Sequence, residues 1–220
     1  MEKYGETQDR HQGQPVLFAG EPLQTARAAM LLLHGRGAGA EDIMMFADSL
    51  TEPGYAFLAP EAPGSAWYPN SFLAPLISNE PYLSSALQRI ENLMAGIQDS
   101  GIPLERTVLL GFSQGACLAL EYSVRHVVAG RYGGIVAWSG GLIGPEGTTW
   151  DYPGLLDGTP VFLGCSDTDP YIPRARVDLS REVLGARGAR VTERIYPGLG
   201  HTVNQDEIDF VLEMMRSVAG

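Results

Sequence analysis

The chain has 220 residues, of which 45% are hydrophobic and 19% are charged, a composition typical of a folded globular protein rather than a disordered one. Acidic residues outnumber basic residues by 26 to 15, and the resulting net charge of −11 disfavours nucleic acids and anionic membranes as partners. The sequence contains neither a secretory signal nor an apolar run long enough to cross a bilayer, so we expect a cytoplasmic protein without a membrane anchor.

Strand and helix patterns alternate from about Pro15 onward. Residues 1–14 are polar and are expected to form a flexible leader, whereas residues 15–220 are expected to form one domain. The strand-like runs are short, rich in β-branched and aliphatic residues, and mostly end in Gly or Pro: Val16–Ala19, Ala28–His34, Tyr55–Ala59, Thr107–Gly111, Gly134–Trp138, Val161–Gly164 and Arg190–Tyr196. Alternation of this kind predicts an α/β fold with a mostly parallel sheet of about seven strands and helices on both faces.

Two helical segments have the clearest signals. Residues 81–98 repeat apolar side chains at three- and four-residue steps, with Ser78 or Asn79 as a candidate cap and Pro81 in the first turn. The last helix is expected to begin after Asn204, because Glu207 stands three residues later in a capping-box pattern.

The cysteine content excludes a disulfide framework. Cys117 lies in a helical pattern and Cys165 ends a strand pattern, so we expect two buried free thiols. No C-x-x-C pair is present. The sequence therefore predicts neither a metal site nor a cofactor.

Residues 111–115 read Gly-Phe-Ser-Gln-Gly and match the pattern G-x-S-x-G. A buried strand precedes Ser113 and a strong helix follows it, which is the setting of a nucleophilic serine on a tight strand-to-helix turn. Flanking glycines are needed there because strand and helix approach closely. A second serine, Ser139, also follows a strand, but a loop pattern follows it, so it is the weaker candidate.

A nucleophilic serine needs a base, and His201 is the best placed of the four histidines because it follows the last strand and precedes a capped helix. An acid is expected after the preceding strand, where Asp167 and Asp169 compete. Asp169 precedes Pro170, which favours an extended backbone, whereas Asp167 could open an Asx turn.

The oxyanion of an acyl-transfer intermediate needs main-chain N–H donors. Gln114, directly after the serine, is one expected donor, and Arg36 in the glycine-rich loop 34–37 is the other. The Arg36 side chain is expected to be solvated, with attraction of an anionic substrate as the alternative. His34 is expected to shape the same loop.

With these residues placed in order, the chain resembles the phospholipase/carboxylesterase family of α/β hydrolases. The matching segments are Leu-Leu-His-Gly-Arg-Gly at 32–37, Gly-Phe-Ser-Gln-Gly at 111–115, Asp-Pro-Tyr-Ile-Pro at 169–173 and Gly-Leu-Gly-His at 198–201. The resemblance implies an α/β-hydrolase fold, and it assigns the triad acid to Asp169 beside Ser113 and His201. The continuation Gly-Ala-Gly-Ala at 37–40 replaces the acidic residue common in the family.

The resemblance further implies a small enzyme without a large cap domain, in agreement with the short connection of about 20 residues between Trp138 and Val161. Residues 60–72 look more like a bacterial subgroup linked to detoxification of aromatic or quinone compounds. Apolar side chains expected to line a substrate pocket are Trp67, Tyr68, Phe72, Leu142, Ile143 and Tyr171.

The sequence therefore predicts a serine carboxylesterase that hydrolyses small to medium acyl esters, with a small-molecule ester as its partner and a monomeric or homodimeric state. An acyl-protein thioesterase or lysophospholipase with the same triad is the first alternative. The non-enzyme alternative is a catalytically inactive ligand-binding protein with this fold.

Overall fold

The computed structural model describes residues 10–126 and 131–220. Within these residues seven strands form one sheet and five α-helices pack against it. The elements in chain order are β1 (Val16–Gly20), β2 (Ala28–Leu33), α1 (Ala40–Met44), β3 (Tyr55–Pro60), α2 (Tyr82–Asp99), β4 (Thr107–Phe112), α3 (Gln114–Arg125), β5 (Gly134–Trp138), β6 (Pro160–Ser166), α4 (Arg174–Ala186), β7 (Arg190–Tyr196) and α5 (Gln205–Ala219). Short 3₁₀ helices occupy Met45–Asp48, Pro63–Ser65, Leu76–Asn79 and Leu104–Arg106.

The sheet has the order β1-β3-β2-β4-β5-β6-β7, and only the pairing of β1 with β3 is antiparallel among its described strands. The mostly parallel sheet predicted from the alternation is confirmed. Strands β2, β3 and β5 are buried along their whole length, whereas the edge strands β1 and β7 are only partly buried. Near-continuous hydrophobicity in the inner strands reflects cover on both faces.

Two hydrophobic clusters lie on opposite faces of the sheet. One contains buried residues of α2, α3 and α4, such as Ile90, Leu118 and Val177. The other contains buried residues of α1 and α5, such as Ile43 and Val211. Helices therefore cover both faces, as predicted.

The predicted cap of α5 is confirmed. The Glu207 N–H donates to Asn204 Oδ1 at 3.1 Å, and the Asn204 N–H donates to Glu207 Oε2 at 2.9 Å. The predicted cap of α2 is not: Pro81 occupies the cap position, and Asn79 accepts instead from the Asn70 N–H at 2.8 Å. Asn79 stabilises a loop because the 3₁₀ helix Leu76–Asn79 separates it from α2.

Residues 10–14 lie against α2 in the structure, although they were expected to belong to a flexible leader. His11 is buried, its Nδ1 lies 2.9 Å from Ser85 Oγ, and the guanidinium of Arg89 donates to the Gln14 carbonyl at 2.7 Å. Hydrogen bonds to α2 are a tertiary effect that the polar composition of this segment does not reveal. The remainder of the predicted leader, residues 1–9, lies outside the described residues.

Cys117 and Cys165 are buried and unpaired, as expected. None of the helices in the described ranges has the length and apolar character needed to cross a bilayer. The connection 139–159 between β5 and β6 contains no helix or strand, which agrees with the predicted lack of a helical cap there.

Candidate active site

Ser113 lies on a tight turn between β4 and α3, with φ 54° and ψ −117°. Its glycine neighbours make that turn possible. A Cβ on Gly115 would lie 2.1 Å from the Leu33 carbonyl oxygen, and a Cβ on Gly111 would lie 2.3 Å from the carbonyl group of Gly115. A positive φ is strained for a residue with a side chain. The close approach of β2, β4 and α3 therefore holds Ser113 at the carboxyl edge of the sheet.

Parallel strands end at one edge of the sheet, and this edge brings together three residues that are distant in the sequence. His201, in the loop after β7, has its Nε2 2.9 Å from Ser113 Oγ. Its Nδ1 lies 2.7 Å from Oδ2 of Asp169, in the loop after β6. An ionised carboxylate only accepts hydrogen bonds, so Nδ1 carries the proton and Nε2 accepts from the serine hydroxyl.

The Asp169 carboxylate is oriented by its own loop. Its Oδ1 accepts from the main-chain N–H groups of Tyr171 at 2.9 Å and Ile172 at 3.0 Å, which leaves Oδ2 directed to His201. The Asp169 side chain is fully buried. These hydrogen bonds fix the position of the carboxylate beside the imidazole.

Two aromatic rings pack against the imidazole of His201. The ring of Phe112 lies 4.9 Å from that of His201 in a tilted arrangement, and the ring of Tyr171 packs edge-on at 4.9 Å. These contacts restrict rotation of His201 away from Ser113. Phe112 was not predicted as a site residue; its position in the G-x-S-x-G motif, just before the serine, is the signal that could have found it.

The weaker sequence candidates lie elsewhere. Asp167 is exposed, and its Oδ1 accepts from the Gly198 N–H at 2.8 Å, so it stabilises the loop that carries His201. Ser139 also has a positive φ, 51°, but it is fully buried, and its N–H donates to the Gly164 carbonyl at 2.7 Å. Neither side chain is in hydrogen-bond contact with His201.

The other three histidines make contacts within the fold and lie apart from the Ser113 hydroxyl. His34 accepts from the Ala62 N–H through Nε2 at 3.1 Å, so its Nδ1 donates to the Gly35 carbonyl at 2.8 Å and the ring is neutral. Burial lowers the pKa of His34, in agreement with this arrangement. His34 therefore shapes the loop after β2, as expected. His126 stacks on Tyr122 at the end of α3, and His11 packs at α2.

The main-chain N–H groups of Arg36 and Gln114 face no hydrogen-bond acceptor among residues 10–126 and 131–220. Arg36 follows β2, Gln114 begins α3, and both residues line the cavity that contains Ser113 and His201. Two N–H groups without an internal acceptor at a cavity wall can bind an anionic oxygen.

A cavity of about 570 Å³ opens beside Ser113. Three of the predicted pocket residues, Tyr68, Phe72 and Tyr171, line it. Cys117 and Ile172 also line it and were missed by sequence analysis, because α3 and the loop after Asp169 turn one apolar side chain each toward the cavity. Burial raises the pKa of Cys117 to about 12, so its thiol is neutral at physiological pH, and burial also raises the pKa of Tyr68.

Three predicted pocket residues lie in the core instead and do not line the cavity. Trp67 is fully buried, and its indole N–H donates to the His34 carbonyl at 2.8 Å. Leu142 and Ile143 are also fully buried. The guanidinium of Arg176 on α4 donates to the Leu142 carbonyl at 2.8 Å and draws this part of the connection inward.

Comparisons with known proteins give a consistent result. Residues 17–219 match the model of the phospholipase/carboxylesterase family. A solved phospholipase/carboxylesterase from Dyadobacter fermentans is 42% identical, with a TM-score of 0.87 over 93% of this chain and 97% of that chain. A carboxylesterase from Bacillus cereus, 20% identical with a TM-score of 0.75, shares the α/β-hydrolase fold over 94% of this chain and 95% of its own.

Curated relatives are more distant. Acyl-protein thioesterase 1 of Gibberella zeae is 35% identical over 64% of this chain, although the aligned region spans only 61% of that protein. Acyl-protein thioesterase 1 of Saccharomyces cerevisiae is 28% identical over 85% of this chain and 91% of its own length. Because the family model covers nearly the whole sequence and the fold agrees, the chain belongs to the phospholipase/carboxylesterase family of α/β hydrolases.

Proposed function

We propose that the protein is a serine carboxylesterase that hydrolyses small to medium acyl esters through an acyl-enzyme intermediate. The observation that supports this proposal most strongly is the continuous hydrogen-bonded line from Ser113 Oγ through His201 to Asp169, at the wall of an open cavity. A serine, a neutral histidine and an oriented carboxylate in this order are the parts needed for acyl transfer.

In the proposed mechanism, Nε2 of His201 removes the hydroxyl proton as Ser113 Oγ attacks the ester carbonyl carbon. The main-chain N–H groups of Arg36 and Gln114 donate to the oxyanion that forms. His201 then protonates the leaving alcohol, and the acyl group remains on Ser113. Water repeats the sequence and releases the acid, while Asp169 keeps the imidazole in one tautomer and stabilises its protonated form.

The size and character of the cavity support small to medium esters. Its wall is largely apolar, with Phe72, Tyr171, Ile172 and the neutral Cys117 thiol among its side chains. A cavity of about 570 Å³ lies within the range of ordinary small-molecule sites. The connection 139–159 contains no helix and contributes no residue to the lining of the cavity.

Labelling with a fluorophosphonate probe tests the proposal. The wild-type protein is expected to be labelled once, on Ser113, because the probe reacts only with an activated serine. Ser113→Ala is expected to abolish labelling and His201→Ala to weaken it by roughly 10³-fold or more. Ser139→Ala, the matched control with a similar backbone conformation, is expected to retain full labelling. A folded wild-type protein that remains unlabelled would favour the ligand-binding alternative.

The curated relatives support a second candidate, an acyl-protein thioesterase, because both relatives described above carry that name. A lysophospholipase with the same triad is the related alternative. Rates on a series of esters and thioesters with acyl chains from two to sixteen carbons separate the candidates. The carboxylesterase proposal expects kcat/KM to peak among the short esters, whereas a maximum among the long-chain thioesters or lysophospholipids would support the alternatives.

A further inference from the structure

The Arg36 side chain has an unusual set of partners. Its guanidinium donates to three consecutive main-chain carbonyls: Nη2 to Tyr68 at 2.8 Å and Asn70 at 2.7 Å, and Nη1 to Pro69 at 2.9 Å. Among the described residues no carboxylate lies within 4.0 Å of it, so these carbonyls are its polar partners. Hydrogen bonds from a charged donor are stronger than neutral ones.

These carbonyls belong to the segment 67–72, which connects the 3₁₀ helix Pro63–Ser65 to the rest of the cavity wall and carries Tyr68 and Phe72. Residues 67–70 have no helical or strand structure. Their main-chain groups therefore depend on side chains for hydrogen bonds, since the segment lacks the ladder that a regular element would supply.

The side chain of Gln114, the residue after Ser113, also binds this segment. Its Nε2 donates to the Tyr68 carbonyl at 2.8 Å, and its Oε1 accepts from the Trp67 N–H at 2.9 Å. The Tyr68 carbonyl thus accepts from both Arg36 and Gln114. The two residues whose main-chain N–H groups face the cavity are also the two residues whose side chains fix its wall.

We propose that Arg36 is a positioning residue, whose guanidinium couples the cavity wall 67–72 to the main-chain N–H groups beside Ser113. This inference rests on the proposed function. Because the guanidinium and the N–H belong to one residue, we expect a displacement of the segment 67–72 to be passed on to the loop that bears the Arg36 N–H. The wall and the N–H donors therefore form one hydrogen-bonded unit, and Arg36 acts on it without contacting the reacting atoms through its side chain.

The test uses Arg36→Ala and Arg36→Lys, which both keep the main-chain N–H. Lysine keeps the charge but replaces the planar fork of donors with a single ammonium group. Amide hydrogen exchange is measured on peptides covering the segment 67–72 and, as an internal reference, α2. We expect exchange in the segment to become at least about tenfold faster in both variants, with α2 unchanged.

Kinetics are measured in parallel on a neutral ester, p-nitrophenyl butyrate, and a negatively charged one of similar length, mono-p-nitrophenyl succinate. We expect kcat/KM for both esters to fall roughly 10- to 100-fold in both variants, mainly through kcat, because the N–H donors are displaced. The ratio of the two kcat/KM values should stay within about threefold of the wild-type ratio, because the Arg36 side chain is not proposed to recognise the charge of the ester. Free guanidinium ions should partly restore Arg36→Ala, whereas potassium chloride at equal ionic strength should not.

Arg27→Ala is the matched control, because Arg27 also donates to a carbonyl, that of Pro53 at 3.1 Å, at the opposite edge of the sheet. Arg27→Ala is expected to change neither the amide hydrogen exchange of residues 67–72 nor kcat/KM for the two esters.

Unchanged amide exchange in Arg36→Ala, or faster exchange with unchanged kcat/KM, would overturn the proposal. A loss confined to the charged ester and reversed by Arg36→Lys would overturn it in favour of charge recognition. If the wild-type protein hydrolyses neither ester, the proposed function fails, while hydrogen exchange still decides the role of Arg36 in the wall.

Discussion

Asp169→Asn is expected to lower kcat for a short ester by about 10⁴-fold while leaving the fold intact. The asparagine oxygen would still accept hydrogen bonds from the N–H groups of its loop. Its NH₂ group would then replace Oδ2 beside His201, and because NH₂ only donates, it cannot accept a hydrogen bond from Nδ1–H. The wrong tautomer of His201 would then face Ser113. Steady-state rates and circular dichroism check the two parts of this expectation.

Asp167→Asn is the matched control, two residues away in the same loop. Asp167 accepts from the Gly198 N–H through Oδ1, and asparagine retains that oxygen. We therefore expect kcat within about threefold of wild type, because surface substitutions of this kind have small effects. Equal losses in the two variants would contradict the assignment of Asp169 as the acid.

Gly115→Ala is expected to destabilise the protein by at least about 2 kcal/mol and to lower activity by roughly 10²-fold. The added Cβ would lie 2.1 Å from the Leu33 carbonyl oxygen, a main-chain atom of the buried strand β2. α3 would have to shift away from β2, and with it the turn that carries Ser113. Urea denaturation measures the free energy of unfolding, and ester hydrolysis measures the displacement of the serine.

Gly96→Ala is the corresponding control within a helix. A Cβ at Gly96 in α2 meets no atom within 4 Å, and its φ lies in the ordinary range for a residue with a side chain. Alanine is the better helix former, so this variant should gain about 0.5–1 kcal/mol in stability and keep its activity. A loss of stability from Gly115→Ala no larger than the scatter among surface variants would contradict the close approach of β2 and α3.

The sheet and its order of elements could be predicted from the sequence because parallel strands leave a strong local signal. Strands such as Thr107–Phe112 are buried on both faces and therefore read as unbroken apolar runs. The capping box at Asn204 is equally local. The cap of α2 could not be predicted in the same way, because the 3₁₀ helix before it diverts Asn79 to a loop contact.

The meeting of Ser113, His201 and an aspartate after β6 could be anticipated because each follows a strand, and parallel strands share one carboxyl edge. Strand placement alone left Asp167 and Asp169 open, and the family resemblance assigned the acid to Asp169. The residues that line the cavity were harder to predict. Apolar residues in irregular segments give no periodicity, so the sequence cannot distinguish Tyr68 at the wall from Trp67 in the core. That distinction is made by hydrogen bonds across long sequence distances, such as the one from Trp67 to His34.

The connection 139–159, which contains no helix or strand, has an expected kinetic consequence. In the proposed mechanism, no helix of this connection has to move before water reaches the acylated serine or before the acid leaves. Under that mechanism we expect turnover to be limited by bond-making and bond-breaking rather than by gating. Discrimination among esters is then expected to depend on the shape of the cavity, and exchanging single side chains that line it is expected to alter selectivity.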